Sequence, residues 1–426
     1  MSQEQSMRNI LKIEDLNVKI NSEVPLNPSD KVMHFYGKLT YKVNECPFCQ
    51  GSQIVKNGFK TSYVRLPPVS EMPVILVLQK QRYLCRNREC QKSFSAQTSV
   101  VQAHKQISQN LRRSLIIAMT KDRSMSEVAA YYNVSVNVVQ RLLDELRAQM
   151  KPNPESSLPA SLCIDEFRSV PKRMSFIAID AQHHEIITLL PDRKTQTIET
   201  YFTNTYPLSE RLKVKHVVVD FNASYFGLIH RVFPEAMIIA DRFHLIQMVL
   251  LAIDQERIHT MKHFDPRSLE YRTLKFHWRL FLMSYDKLNQ REPQWFPHLK
   301  DRKTQEQVVW QGLDTDSTLE STYLCGHKIA EAIQNNNPSK LVSALQESNG
   351  VGERLAAVIR TFKHNHLFIE NMIQTGCLSN GPIEGVNRKI KQIKRTAFGL
   401  TNWLRFETRI RIEFTYKTRK RRPIRK

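Results

Sequence analysis

Two sets of residues in this sequence have the types and spacing to do chemistry. The first is a cysteine quartet. Cys46-Pro-Phe-Cys49 and Cys85-Arg-Asn-Arg-Glu-Cys90 are two close pairs. A tetrahedral Zn²⁺ site needs this arrangement: each pair sits on a tight turn, and the strands between bring the turns together. Four thiolates leave no position for water, so the expected role is structural. Cys163, Cys325 and Cys377 stand alone. An odd total of seven cysteines suits a reducing compartment, where clustered thiols point to metal rather than disulfides.

The second set is acidic. Asp165 lies in LCIDEF, Asp220 ends VKHVVVD and Asp241 ends AMIIAD. Glu384 opens an expected helix in SNGPIEGVNRKIKQIKR, with Pro382 near its first turn. A single Asp at a strand end is ordinarily a cap or turn residue. Several in this order, beside Arg388, Lys389, Lys391 and Lys394, suit phosphodiester chemistry by two Mg²⁺ ions held on converging carboxylates. Glu166 is expected on the opposite side of its strand from Asp165, in a supporting role. Asp241 and His244 read evenly as site auxiliaries or as a strand-end cap with a hydrogen-bonded ring. His183 and His184 read as exposed turn residues, and Trp403 and Phe406 as core.

These groups need a frame. LCIDEF, RMSFIAID and HEIITLL read as short strands, the last two forming a hairpin. VKHVVVD and AMIIAD are nearly continuous apolar runs, as in strands buried on both faces. YVRLPPV and VILVLQKQRYLC read as strands between the cysteine pairs. Residues 105–150 read as helices. Ser124 and Glu127 match a capping box, and Val128, Ala129 and Tyr132 make one apolar face. Asn133-Val134 makes a turn, and Ser135 caps a second helix that buries Val138, Val139, Leu142 and Leu143. Ser135, Asn137, Gln140 and Arg141 then face outwards, where a recognition helix meets base edges. Lys151 to Ala160, rich in Pro and Ser, reads as a linker.

Composition narrows the partner. Lys+Arg number 63 and Asp+Glu 41, a net charge of +22. Fifteen Lys/Arg and only two acids lie between Gly385 and Lys426. Such concentrated charge binds phosphate backbones through counterion release. No large apolar face accompanies it, so a membrane surface is not the expected partner. With 426 residues and 41% hydrophobic content, the chain can bury a sizeable core in two to four domains. This excludes a wholly disordered chain, a collagen and a small disulfide scaffold. No apolar run reaches the ~18 residues of a membrane span, and the N-terminus lacks a signal-peptide pattern, so a cytoplasmic protein is expected.

In the cysteine module, the paired helices and the segments IDEF, VVVDFNASY, ADRFHLIQ and SNGPIEGVNRKIKQIKRTAFGLTNWLRFETRI, the chain resembles the DDE transposases of bacterial insertion sequences, specifically the ISL3 family. The resemblance runs through nearly the whole chain, and the last segment is its most specific part. It implies a multidomain α/β protein: an N-terminal zinc ribbon (1–100), a helix-turn-helix (105–150), a linker (151–160) and a ribonuclease H-like mixed-sheet catalytic core (161–247 and 371–415). A large helical insertion (248–370) interrupts the core, and a basic tail (416–426) ends the chain.

It further implies that Asp165, Asp220 and Glu384 hold two Mg²⁺ or Mn²⁺ ions, while Cys46, Cys49, Cys85 and Cys90 hold one Zn²⁺. Asn387, Arg388, Lys389, Lys391, Lys394 and Arg395 are expected on DNA. The implied partners are double-stranded terminal inverted repeats, target DNA and further copies of the chain, in a dimer or larger assembly. The implied reaction is strand cleavage followed by 3′-OH strand transfer. Two other readings stand beside it: a sequence-specific DNA-binding regulator, which needs no such acids, and a ribonuclease H-type nuclease without joining.

Overall fold

The computed structural model describes residues 3–21, 31–150, 157–170, 173–221, 223–376, 378–397 and 400–415. Residues 151–156 of the expected linker and the basic tail 416–426 lie outside these. The chain divides into two compact units, 1–152 with 389–426, and 153–388.

In the first unit, α1 (Gln3–Leu11) precedes five strands: β1 (Val18–Ile20), β2 (Met33–Leu39), β3 (Ile54–Val69), β4 (Met72–Cys85) and β5 (Ser93–Ser95). The order is β1-β2-β4-β3, with β5 also on β4. β2 and β4 run parallel and the other pairs antiparallel. Ser70 and Glu71 turn the long β3–β4 hairpin, both at positive φ, as a two-residue turn matched to strand twist requires. Period-two alternation sends Val74, Leu76 and Leu78 inwards with Leu39, Val64 and Leu66. Ile75, Val77 and Gln79 face the other way.

Three helices follow: α2 (Gln109–Met119), α3 (Met125–Tyr131) and α4 (Val136–Gln149). The capping box forms in full, with Glu127 N donating to Ser124 Oγ at 3.1 Å and Ser124 N to Glu127 Oε2 at 2.7 Å. Asn133 turns the chain at φ 49°. Ser135 precedes α4, but its hydroxyl makes no capping bond, contrary to expectation. Val128, Ala129, Val139, Leu142 and Leu143 are buried, while Tyr132 and Val138 are half-buried.

The second unit holds β6 (Ser161–Arg168), β7 (Met174–Asp180), β8 (Ile186–Leu190), α5 (Thr195–Thr205), α6 (Leu208–Arg211), β9 (His216–Val219), α7 (Ala223–Val232) and β10 (Met237–Ala240). Its sheet order is β10-β9-β6-β7-β8. β6, β9 and β10 are mutually parallel, and β7 is antiparallel to both neighbours. The Val- and Ile-rich runs of β9 and β10 lie almost wholly buried.

Beyond β10 come α8 (Arg242–Met261), α9 (Leu269–Phe276), α10 (Gln305–Leu313), α11 (Ser317–Gln334), α12 (Pro338–Gln346), α13 (Glu353–His364), α14 (His366–Thr375) and α15 (Gly381–Thr396). The stretch expected to be helical is so, apart from a short ribbon of β11 (Gln294–Phe296) and β12 (Asp301–Lys303). Gly326 lets α11 approach α8: a Cβ there would meet Ile253 at 2.7 Å. Asn371 on α14 donates to the Ile238 carbonyl at 2.9 Å and ties the helices to the sheet edge.

α16 (Trp403–Thr415) departs from expectation. Instead of joining the catalytic core it belongs to the first unit, packing on α4 and α2 with Phe406, Ile410 and Ile412 buried. Helical periodicity shows that such a face is buried but not against what. Trp403 sits half-buried beside the Phe406 ring at 6.4 Å, a packing position. Among the described residues no helix is long and apolar enough to cross a membrane.

Candidate active site

The parallel strands β6, β9 and β10 end on the same side of their sheet, which is where open α/β sheets bind ligands. Asp165 follows the last parallel pairing of β6, Ile164 with Val219. Asp220 and Asp241 are the first residues after β9 and β10. Sequence order thus places the three carboxylates along one edge. Asp165 and Asp220 line an open cleft of about 450 Å³ with Glu166, Tyr225, His244 and Met248.

Asp241 caps α8, accepting from His244 N at 3.3 Å as an N-cap residue should. Its carboxylate also accepts from Asn380 N at 3.0 Å. The His244 ring reaches both Asp241, at 2.8 Å, and Asp220, at 3.1 Å. These three could gather on one ion. The lone pairs of the buried Asp241 are nevertheless committed within the protein, so it serves better as the group that orients His244. Glu166 is held by the Tyr225 hydroxyl at 2.7 Å and by Arg193. It lines the cleft but is occupied by these partners.

α15 supplies what the sequence alone did not reveal. Asn380, the residue before its first turn, would ordinarily cap the helix. Instead its Nδ2 donates to Asp220 at 2.8 Å. Asn387 Nδ2 donates to Asp165 at 2.6 Å. Asn387 is buried and so is not the phosphate contact expected of it. Glu384 lies four residues after Asn380 and three before Asn387, so all three share one helix face. Its side chain is exposed, and its charge helps raise Asp220. An Asn before a helix usually signals a cap, so only the third carboxylate downstream marked this segment.

The electrostatics ask for a cation. Burial and the neighbouring Asp220 charge push the Asp165 carboxyl up to about 7. Burial raises Asp220 too, against His244 and Asn380, with Asp241 and Glu384 adding to the rise. Burial also works against the Asp241 charge, yet the His244 ring and the Asn380 N–H hold it below the usual range. The same Asp241 bond raises His244, which opposes a role for its ring as a neutral metal ligand. The Oδ1 atoms of Asn380 and Asn387 are buried without a hydrogen-bond partner. Paired carboxylates beside unspent amide oxygens form a donor set for a hard cation.

In the first unit the four cysteines converge. Cys46 and Cys90 Sγ lie 3.8 Å apart, and Cys49 and Cys85 Sγ 3.7 Å. Zn–S bonds of about 2.3 Å at tetrahedral angles require sulfur edges of about 3.8 Å, so the thiols fit zinc. Each pair closes the same way: the residue after its second cysteine, Gln50 or Gln91, takes positive φ.

The expected DNA contacts divide. Ser135, Asn137 and Arg141 are exposed on or beside α4, and Gln140 is half-buried. Arg388, Lys391 and Arg395 are exposed along α15, and Lys394 is half-buried. Lys389 is instead held by Asp122 at 3.2 Å and Glu413 at 3.0 Å, so its charge is spent inside the protein. His183 is exposed in the β7–β8 turn, its ring on Asp180 at 2.8 Å.

Comparison with known proteins agrees with this frame. Residues 162–410 match the ISL3 family described as "Transposase". Residues 42–90 match the family described as "zinc-finger of transposase IS204/IS1001/IS1096/IS1165". A curated relative from Bordetella parapertussis, "Transposase for insertion sequence element IS1001", is 22% identical over 399 residues, which cover 92% of this chain and 94% of that one.

Proposed function

The chain belongs to the ISL3 family of transposases, and from that premise we propose that it cuts DNA at the ends of an insertion sequence and joins them to target DNA. The observation that carries this reading is the meeting of Asp165 and Asp220, under-neutralised and clamped by α15, at the ends of adjacent parallel strands. Their sheet, with its strands in the order 3-2-1-4-5, is read as ribonuclease H-like. Glu384 is assigned as the third carboxylate because its helix face touches the other two.

Asp165, Asp220 and Glu384 would hold two Mg²⁺ or Mn²⁺ ions. When bound, these supply positive charge to the attacking oxygen and to the leaving 3′-oxygen. In the first step water attacks the phosphodiester, the P–O3′ bond breaks, and a free 3′-OH is left. In the second step that 3′-OH attacks a target phosphodiester and releases a target 3′-OH, so one P–O bond forms for each one broken. Asn387 and Asn380 keep Asp165 and Asp220 turned towards the cleft, and His244 links Asp220 to Asp241, the residue that caps α8. Below about pH 7 the raised Asp165 carboxyl would keep its proton, which it must release to become a ligand.

The remaining assignments follow the same premise. One Zn²⁺ holds the cysteine turns of the N-terminal module. α3 and α4 act as a helix-turn-helix, with Ser135, Asn137, Gln140 and Arg141 towards terminal inverted repeats. Arg388, Lys391, Lys394 and Arg395 meet phosphates. Two or more copies hold two element ends, in the bacterial cytoplasm on nucleoid DNA.

The test is an assay on labelled DNA carrying the element's own ends, with Mg²⁺ or EDTA. Metal-dependent cutting and joining that Asp165→Ala, Asp220→Ala and Glu384→Ala each abolish, with end binding kept, supports the reading. Specific binding without cutting under either Mg²⁺ or Mn²⁺ replaces it with the regulator. Cutting without joining replaces it with the nuclease. Cutting that survives Glu384→Ala removes that residue from the triad.

A further inference from the structure

The outer face of the N-terminal sheet is organised in rows. Tyr36 on β2 and Tyr63 on β3 stand directly opposite Val77 of the strand between them. They are 43% and 58% exposed, on strands about 10 Å apart. In the row on one side, Arg65 stands opposite Ile75. In the row on the other side, Lys38 stands opposite Gln79 and, across the other edge of β2, opposite Lys19. Phe59, 43% exposed, lies beneath the Lys38 ammonium at 4.4 Å.

Two features need an occupant. Cross-strand neighbours of like charge destabilise a sheet, yet Lys19 and Lys38 are paired directly and are both exposed. Large aromatic side chains are also left in solvent between Arg65 on one side and Lys19 and Lys38 on the other. Arg65 also lines a cleft of about 240 Å³ with Arg141 and with Lys105 and Arg112, which are both paired with Glu145, and its buried Nε has no hydrogen-bond partner. Rings on a flat sheet flanked by cations match unstacked bases on a phosphate backbone. A duplex hides its base faces and offers such rings nothing to stack on.

We propose that this face binds an unpaired DNA strand, with bases against Tyr36, Tyr63 and Phe59 and phosphates against Lys19, Lys38 and Arg65. The proposal rests on the DNA-acting reading above and adds a site for single-stranded DNA within the zinc-binding module.

The experiment measures fluorescence anisotropy of the zinc-loaded full chain with a labelled single strand of about 12 nucleotides. A duplex carrying the element's end is titrated in parallel. Tyr36→Ala with Tyr63→Ala is expected to weaken single-strand binding at least tenfold and leave duplex binding within twofold. Tyr36→Phe with Tyr63→Phe, which keeps the rings, is expected to bind like the parent. Lys38→Gln is expected to lower the salt dependence of single-strand binding by about 0.7 in log–log slope.

Unchanged single-strand affinity in the double alanine variant, with zinc content and thermal unfolding intact, overturns the proposal. Equal loss of duplex binding assigns the face to double-stranded DNA and also overturns it. A change in sedimentation state without a change in DNA binding makes the face an interface between copies, which overturns it too. A parent protein that binds and cuts duplex ends but ignores the single strand defeats only this inference. A parent that binds neither DNA defeats the transposase reading as well.

Discussion

Glu413 and Asp165 are both carboxylates drawn out of water, and the molecule provides for them in opposite ways. Glu413 meets Arg409 at 3.1 Å and Lys389 at 3.0 Å. Arg409 spends further donors on the carbonyls of Lys121 and Arg123. Around Asp165 and Asp220 the donors are the side-chain amides of Asn387 and Asn380, the Glu166 N–H and the single ring of His244. An amide turns a carboxylate without cancelling its charge. The contrast is between a buried anion whose counter-cations come from the fold, at Glu413, and a pair, Asp165 and Asp220, that receives dipoles and one titratable ring.

The contrast can be broken most sharply at the sheet edge. Asp220→Asn is expected to reduce single-turnover strand cleavage by about a thousandfold or more. It should leave thermal stability equal or higher, because it removes a like charge from Asp165. A clear fall in melting temperature with cleavage retained would make the two sites alike.

The opposite result is expected in the first unit. Arg409→Met strands the Glu413 carboxylate and should cost about 3–5 kcal/mol of stability in urea titration. Combining it with Glu413→Leu should restore most of that loss. Cleavage per folded molecule should change little in either variant.

A smaller effect is expected from the amides. Asn387→Ala should weaken Mn²⁺ binding about 10- to 100-fold, the usual cost of losing a group that orients a metal ligand. Counting free Mn²⁺ by electron paramagnetic resonance checks it. Unchanged Mn²⁺ affinity would leave Asn387 as packing alone.

The mildest test is pH. Asp165 is raised to about 7, so below that value an entering cation must displace its proton. Mn²⁺ binding should therefore tighten as pH rises towards 7 and level off above it. In Asp220→Asn, where the raising charge is gone, the plateau should begin at lower pH. A plateau unmoved by that substitution would separate Asp165 from Asp220.

How far the sequence discloses all this depends on the range of the interaction. β9 and β10 were legible because Val and Ile fill runs of the right length and an Asp follows each one. The cysteine pairs were legible because thiols two and four residues apart have few other uses. The capping box at Ser124 was legible because both partners lie within one turn. Asn387 was not, since its partner Asp165 is 222 positions away and nothing local distinguishes a clamp from a phosphate contact. Lys389 read as a DNA contact for the same reason: its counter-charges, Asp122 and Glu413, come from other parts of the chain. The packing of α16 on α4 was hidden because an apolar stripe does not name its partner.

The long span between Asp165 and Asn387 bears on when the protein becomes competent. The sheet that carries Asp165, Asp220 and Asp241 is complete by Ala240. The residues that clamp it follow at 380 and 387. During synthesis the carboxylates therefore exist well before anything holds them, and closing so long a loop is a late, entropically costly event. A nascent or truncated chain that stops before α15 would carry a folded sheet with an unassembled edge. Assembly of the acidic edge would thus be withheld until everything upstream of α15 has been made.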